Sequence, residues 1–229
     1  MEQLPLIILL LYALYEGLIH AFEADHILAV TNIVSQRTSL LPAVKDGVFW
    51  GLGHTSTIFL VGIIMIVFKV HIPNGTFSYF EAAVGLMLVL VASFRLFIFF
   101  RDEQTTLSLH KHEHEHAGVN KHLHTHIHLK NKNLHTASYG IGIVHGLAGS
   151  GALVVLIMTQ IESVANSILY LVIFGLGSIV GMTLIAGIFS VPFSKKLTGS
   201  KVLRTVLVVL SSGLCFAYGC YVIYHNLLG

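Results

Sequence analysis

Six long apolar runs, separated by short polar or basic segments, organise the chain: Leu4–Val34, Val48–Val70, Tyr79–Phe100, Ala137–Met158, Val164–Val191 and Val202–His225. Each is continuous and long enough to cross a bilayer, which takes about 20 mainly apolar residues in a helix. None alternates over about ten residues as the strands of a membrane barrel do. The pattern predicts an all-α integral membrane protein with six transmembrane helices. Composition agrees, since 10% of the residues are charged where a soluble domain carries about 25%. The first run opens with Met1-Glu2-Gln3, has no basic start, and is expected to be a retained helix rather than a cleaved signal.

One segment interrupts the pattern. Between Arg101 and His135 lie nine of the fifteen histidines, most of them in two alternating tracts, His110–His116 and His122–His128. Such a tract cannot build a core, and residues 101–135 are expected to be a disordered, His-rich linker. It divides the chain into a first three-helix unit, residues 1–100, and a second, residues 136–229. Charge orients them. Arg37 and Lys45, the basic residues of the linker, and Lys195, Lys196, Lys201 and Arg204 all fall in loops on one side, whereas Lys69 stands alone on the other. The positive-inside rule makes the linker cytoplasmic and puts both termini outside, in a multi-pass cell-membrane protein. The formal net charge of +2 gives no reason to expect nucleic acid as a partner; the lipid bilayer is the expected surrounding.

The two units share spacing. His20 and His145 each open a similar stretch at an offset of 125, and Gly51-Leu52-Gly53-His54 matches Gly175-Leu176-Gly177-Ser178 at an offset of 124. With three helices per unit, the second enters the membrane from the opposite side. The expected architecture is therefore two inverted three-helix repeats, a plan that places a transport site near the midplane where the halves meet. Cys215 and Cys220 are both in the last run and point about 140° apart on a helix, too far round to share a ligand or a disulfide.

Chemistry concentrates in the first run, where Glu16, His20, Glu23, Asp25 and His26 lie within eleven residues. An ionised acid at the centre of a lone membrane helix costs about 2.5–3.5 kcal/mol, so these groups are expected to face a protein interior and to be used there. At 100° per residue Glu16, His20 and Glu23 share one face, and His26 follows about 60° further round. Asp25 points away on an ideal helix, so either it supports the others from behind or the helix is distorted there. Imidazole with carboxylate, and no thiolate near, suits Ni²⁺, Co²⁺ or Zn²⁺ and argues against Cu(I). The candidate metal ligands are His20, Glu23, Asp25, His26, His54 on the second helix, and His145, the repeat mate of His20.

His20-Ala-Phe-Glu-Ala-Asp25-His26 has the His-x4-Asp-His pattern of the nickel/cobalt transporter (NiCoT) family, and Asn32 and Arg37 follow where that family often has Asn and Arg. Gly53-His54-Thr-Ser-Thr57 resembles its second signature. The short length and His145-Gly-Leu-Ala-Gly-Ser-Gly151 look most like the UreH-type urease accessory branch. The resemblance implies nickel or cobalt uptake, with the metal as cargo rather than as a cofactor, and urease maturation proteins as cytoplasmic partners. The chain departs from the full-length family in reading as six spans rather than about eight. It lacks the later Asp- and Thr-rich signatures and carries Glu at position 23 where Asp is common.

No Gly-x4-Gly-Lys-Ser/Thr loop is present, so the chain is not expected to be an ATPase or another enzyme. The alternatives to uptake are nickel/cobalt efflux, a zinc carrier, or a membrane metal-binding accessory protein for urease maturation that does not transport. The zinc carrier of the ZIP kind is disfavoured because its His-Asn-x-Pro-x-Gly motif is missing.

Overall fold

The computed structural model describes residues 6–69, 74–106, 135–147, 161, 163–194, 197 and 200–229. The two histidine tracts, His71, and residues 148–158 of the fourth apolar run lie outside them. The described residues form helices and no strand: α1 Leu6–His20, α2 Ala24–Val34, α3 Leu40–Phe68, α4 Asn74–Thr106, α5 residues 135–147, α6 Val164–Ser190 followed by a single 3-10 turn Val191–Phe193, and α7 Lys201–Leu227. Four of these are long and apolar enough to cross a membrane, and α1 with α2 makes a fifth span if the bent pair is counted as one. The described part of the protein is thus all-helical and multi-pass in character. Side chains such as Leu11, Leu60, Phe68 and Val202, more than half exposed, clothe it in an apolar surface suited to lipid.

The first apolar run is two helices. After His20 the amides of Phe22 and Glu23 bond to the carbonyls of Ile19 and His20, three residues back, at 2.8 and 3.1 Å. Glu23 then turns extended (φ −63°, ψ 152°) and caps α2, which leaves at 55° to α1. A broken helix at membrane depth is tolerated where it faces protein or a cavity, and here it re-aims Asp25 and His26. Helical periodicity alone pointed Asp25 away from the histidines, and the distortion is what reverses that.

Two boundaries differ from the sequence reading. α3 starts at Leu40, not Val48, because Pro42 sits in its first turn, where the missing amide costs nothing, and because Arg37 neutralises Asp46. The segment expected to be a linker from 101 to 135 is helical at both ends. α4 continues to Thr106, with the Arg101 guanidinium 5.9 Å from the Phe97 ring centroid, and His135 belongs to α5.

Glycines let the helices touch. A Cβ on Gly17 would overlap the Phe174 carbonyl, one on Gly177 would crowd Leu14 and Leu18, and one on Gly181 would crowd Leu18 and Ala21, so α1 and α6 run together in the same direction with their backbones in contact. α3 and α5 do the same: a Cβ on Gly142 would overlap the Trp50 carbonyl and one on Gly146 that of His54, while one on Gly53 would overlap the Tyr139 carbonyl. α3 and α6 cross in opposite directions, Gly47 facing Met182 and Gly175 facing Thr55, and α4 crosses α7 at Gly85 and Gly219. Small residues at such crossings are the usual means of association where lipid removes the hydrophobic drive. Trp50, Met182, Leu88 and Cys215 fill the larger core cluster, and Ile58, Met65, Tyr170 and Phe174 the smaller. Asn32 joins α2 to α7, its Oδ1 accepting from Ser212 Oγ at 2.7 Å. Both cysteines are free, Cys215 buried with its thiol 3.6 Å from the Leu88 carbonyl.

Candidate metal centre

Four imidazoles from four helices meet at the α1–α2 break. His20 closes α1, His26 stands in the first turn of α2, His54 lies mid-way along α3, and His145 near the end of the described part of α5. The His20 and His54 Nε2 atoms are 3.2 Å apart, and the His26 ring centroid lies 4.5 Å from that of His20, 5.1 Å from His54 and 4.0 Å from His145. His26, His54 and His145 are 1%, 0% and 1% exposed. Burying three imidazoles costs free energy unless their polar atoms are satisfied, yet His26 Nε2, His54 Nδ1 and His145 Nδ1 have no partner among the described residues. Three ring nitrogens are thus buried and left without a partner among the described residues.

The carboxylates stand behind the rings. Asp25 Oδ1 lies 2.9 Å from His26 Nδ1 and accepts from the His26 backbone amide at 2.8 Å, while Asp25 Oδ2 lies 2.9 Å from His145 Nε2. Glu23 Oε1 lies 2.9 Å from His20 Nδ1. With Nδ1 of His20 and His26 donating to carboxylates, Nε2 of each ring carries the lone pair, an arrangement that fixes ring orientation and raises ligand basicity in metal sites. One ligand atom each from His20, His26 and His54 fall within 4.8 Å of one another, as do one each from Asp25, His26 and His145. Two metal–nitrogen bonds of about 2.0–2.1 Å reach across as much as ~4.2 Å, so the 3.2 Å between His20 and His54 is within the span of a single ion.

The structure thus brings together His20, Asp25, His26, His54 and His145. Glu23 touches His20 from the outer side, its side chain 57% exposed, and is not among the atoms that converge. Glu16, on the same helical face in projection, is not among them either. Trp50 was absent from the candidates: it is fully buried, its ring 5.5 Å from His26 and 5.7 Å from His145. Its place on α3, one turn before His54, was the only available signal.

A second buried polar group also escaped the sequence reading. Asp46, at 0% side-chain exposure, accepts from Arg37 Nε at 2.5 Å and from Arg37 Nη2 at 2.9 Å, lies 2.6 Å from His135 Nδ1, and accepts from Ser138 Oγ at 3.3 Å. Nearby Arg95, 3% exposed, donates to Ser35 Oγ and the Ser35 carbonyl. Arg37 counted only as a basic residue between the first two runs and Asp46 was not singled out, because a pair nine residues apart fits no helical period.

Comparison with known families now has a geometry to meet. Residues 6–214 match the sequence model of NicO, described as high-affinity nickel-transport protein. The chain belongs to the NicO family. It is also 32% identical over 227 residues to the "Urease accessory protein UreH" of Bacillus sp. (strain TB-90), a match covering 98% of this chain and 94% of that protein. No solved structure matches it. The NicO match runs through α1 to α7 and so includes the four imidazoles, Asp25 and the Asp46 cluster.

Proposed function

We propose that this NicO-family chain carries nickel inward across the cell membrane and binds it at the α1–α2 break through Nε2 of His20 and His26 and a ring nitrogen of His54. The observation that carries the reading is the convergence of these buried rings with nitrogens left open, Asp25 and Glu23 holding two of them from behind. A neutral trio of imidazoles suits Ni²⁺ and Co²⁺. A divalent cation entering gains about 4.6 kcal/mol for each 100 mV of membrane potential, at ~2.3 per charge, which drives uptake without nucleotide hydrolysis.

The architecture we propose is six helices in two inverted repeats, with 107–134 a cytoplasmic loop and both termini outside. Contact equivalence supports it. At offsets of 125 and 124, Gly17 corresponds to Gly142 and Gly177 to Gly53. Phe174 and Ser178, which meet Gly17, correspond to Trp50 and His54, which meet Gly142; Leu14 and Leu18 correspond to Tyr139 and Ile143 in the same way. Since α1 runs with α6, α5 with α3, and α3 against α6, the first helices of the two halves run oppositely, as inversion requires. The UreH relative suggests that the nickel released inside passes to urease maturation proteins. Nickel uptake by the purified protein in vesicles under an imposed inside-negative potential tests the function: uptake that follows the potential supports it, and metal binding with no flux overturns it.

A further inference from the structure

The carboxylate between His26 and His145 is connected to the outside of the protein. A cavity of about 230 Å³ is lined by Glu23, Asp25, Glu81, Tyr218, Tyr221 and His225 among others, and Asp25 is its deepest link to the imidazoles. Its side chain is 24% exposed, whereas those of His26 and His145 behind it are 1%. The cavity's three carboxylates, Glu23, Asp25 and Glu81, attract a cation and repel an anion, and Tyr218, Tyr221 and His225 of α7 complete the lining. The ions of the acidic lining are not a site by themselves. What lies at the floor is one: a carboxylate with two buried rings, each of which leaves its other nitrogen without a partner, His26 Nε2 and His145 Nδ1.

We propose that the divalent cargo occupies two adjacent positions that share His26: an entrance position formed by Asp25, His26 and His145 at the floor of the acidic cavity, and a second formed by His20, His26 and His54. This inference rests on the transport reading above and adds to it an order of binding. Both ligand sets are mutually close enough for one ion. At metal–ligand distances of about 2.1 Å the edge of an octahedron is ~3.0 Å, and the Asp25 Oδ2–His145 Nε2 and His20–His54 separations are 2.9 and 3.2 Å. The entrance position uses an oxygen of Asp25 with one ring nitrogen each of His26 and His145, and the second uses one ring nitrogen each of His20, His26 and His54, so His26 serves both positions in turn. Two weaker positions in place of one tight cage also let the ion leave again, a requirement of conduction.

The test uses the purified full-length protein, nickel itself as the probe, equilibrium dialysis for affinity and X-ray absorption for the ligand shell. His54→Ala is expected to keep binding nickel, with two imidazoles and a carboxylate oxygen in the shell. His145→Ala is expected to keep binding it with three imidazoles. Each loses about tenfold to a hundredfold in affinity, the scale of removing one supporting group, and the double variant loses far more. If either variant does not insert, His54→Asn and His145→Asn, closer in shape, take its place. A single position is the conclusion, and the proposal is overturned, if His54→Ala alone abolishes binding in folded protein or if the shell is identical in both variants. Nickel bound normally by His26→Ala would instead remove the site itself, and with it the proposed transport route.

Discussion

His20 Nε2 and His54 Nε2 stand 3.2 Å apart, although 34 residues separate them in sequence and they belong to helices divided by the α1–α2 bend. At that distance the pair either shares a proton or shares a cation. The Glu23 carboxylate beside His20 Nδ1 accepts that nitrogen's proton in a hydrogen bond and leaves the Nε2 lone pair facing His54.

His20→Ala and His26→Ala should each abolish nickel uptake into vesicles while leaving membrane insertion intact, because removing an imidazole from the membrane interior relieves a desolvation cost. For the wild-type protein, uptake at fixed nickel should fall as pH is lowered, since protons compete for the same neutral nitrogens. Wild-type rates in both variants would reduce the cluster to a structural network.

Asp25→Asn should leave the fold and lower nickel affinity by about 10–100-fold, the usual effect of losing a carboxylate that orients ligand rings. The amide can still accept from one ring but cannot hold both His26 and His145 with charge. Equilibrium dialysis on detergent-solubilised protein gives the measurement, and an unchanged Kd would exclude Asp25 from the site.

Arg37→Leu should destabilise the protein by up to about 3–5 kcal/mol, because it removes the guanidinium from a buried carboxylate and leaves only His135 and Ser138 beside it. Adding Asp46→Leu should recover most of that loss, since two apolar residues can replace a buried pair at little cost. Thermal unfolding of the single and double variants in detergent measures the recovery. Additive losses would mean that Arg37 and Asp46 act independently, against the 2.5 and 2.9 Å contacts between them.

Gly142→Ala should lower the yield of folded protein, as its Cβ would run into the Trp50 carbonyl, whereas Gly140→Ala, with nothing within 4 Å, should be silent. Fluorescence-detected size exclusion of both variants decides. Equal behaviour would contradict the close α3–α5 crossing that sets His54 against α5.

Replacing the eight histidines from His110 to His128 with serine should leave transport measurable and reduce metal retained after uptake, since closely spaced imidazoles bind ions without having to form the pathway. His135 is kept in this variant because it contacts Asp46. Complete loss of flux with the protein still inserted would bring the tract into the pathway.

Much was legible in sequence because it depends on short-range repetition. Apolar runs of membrane length specify helices whatever their partners, and the cost of charge in lipid sets His20, Asp25 and His26 apart as groups to be kept from lipid. The equivalent spacing of His20 with His145 and Gly53 with Gly177 was visible for the same reason. What only tertiary structure decided is direction and company. Ideal periodicity aimed Asp25 away from the histidines; two short backbone bonds after His20 and an extended Glu23 turned it between His26 and His145. Glu23 shared a helical face with His20 in projection, yet the bend leaves it at the cavity wall. Asp46 drew no notice in the sequence, and only the meeting of the α2–α3 connection, α3 and α5 gives it Arg37 and His135 as partners. A helix records its own period in the sequence, but where it breaks, and which buried groups then satisfy one another, is settled by partners tens to more than a hundred residues away.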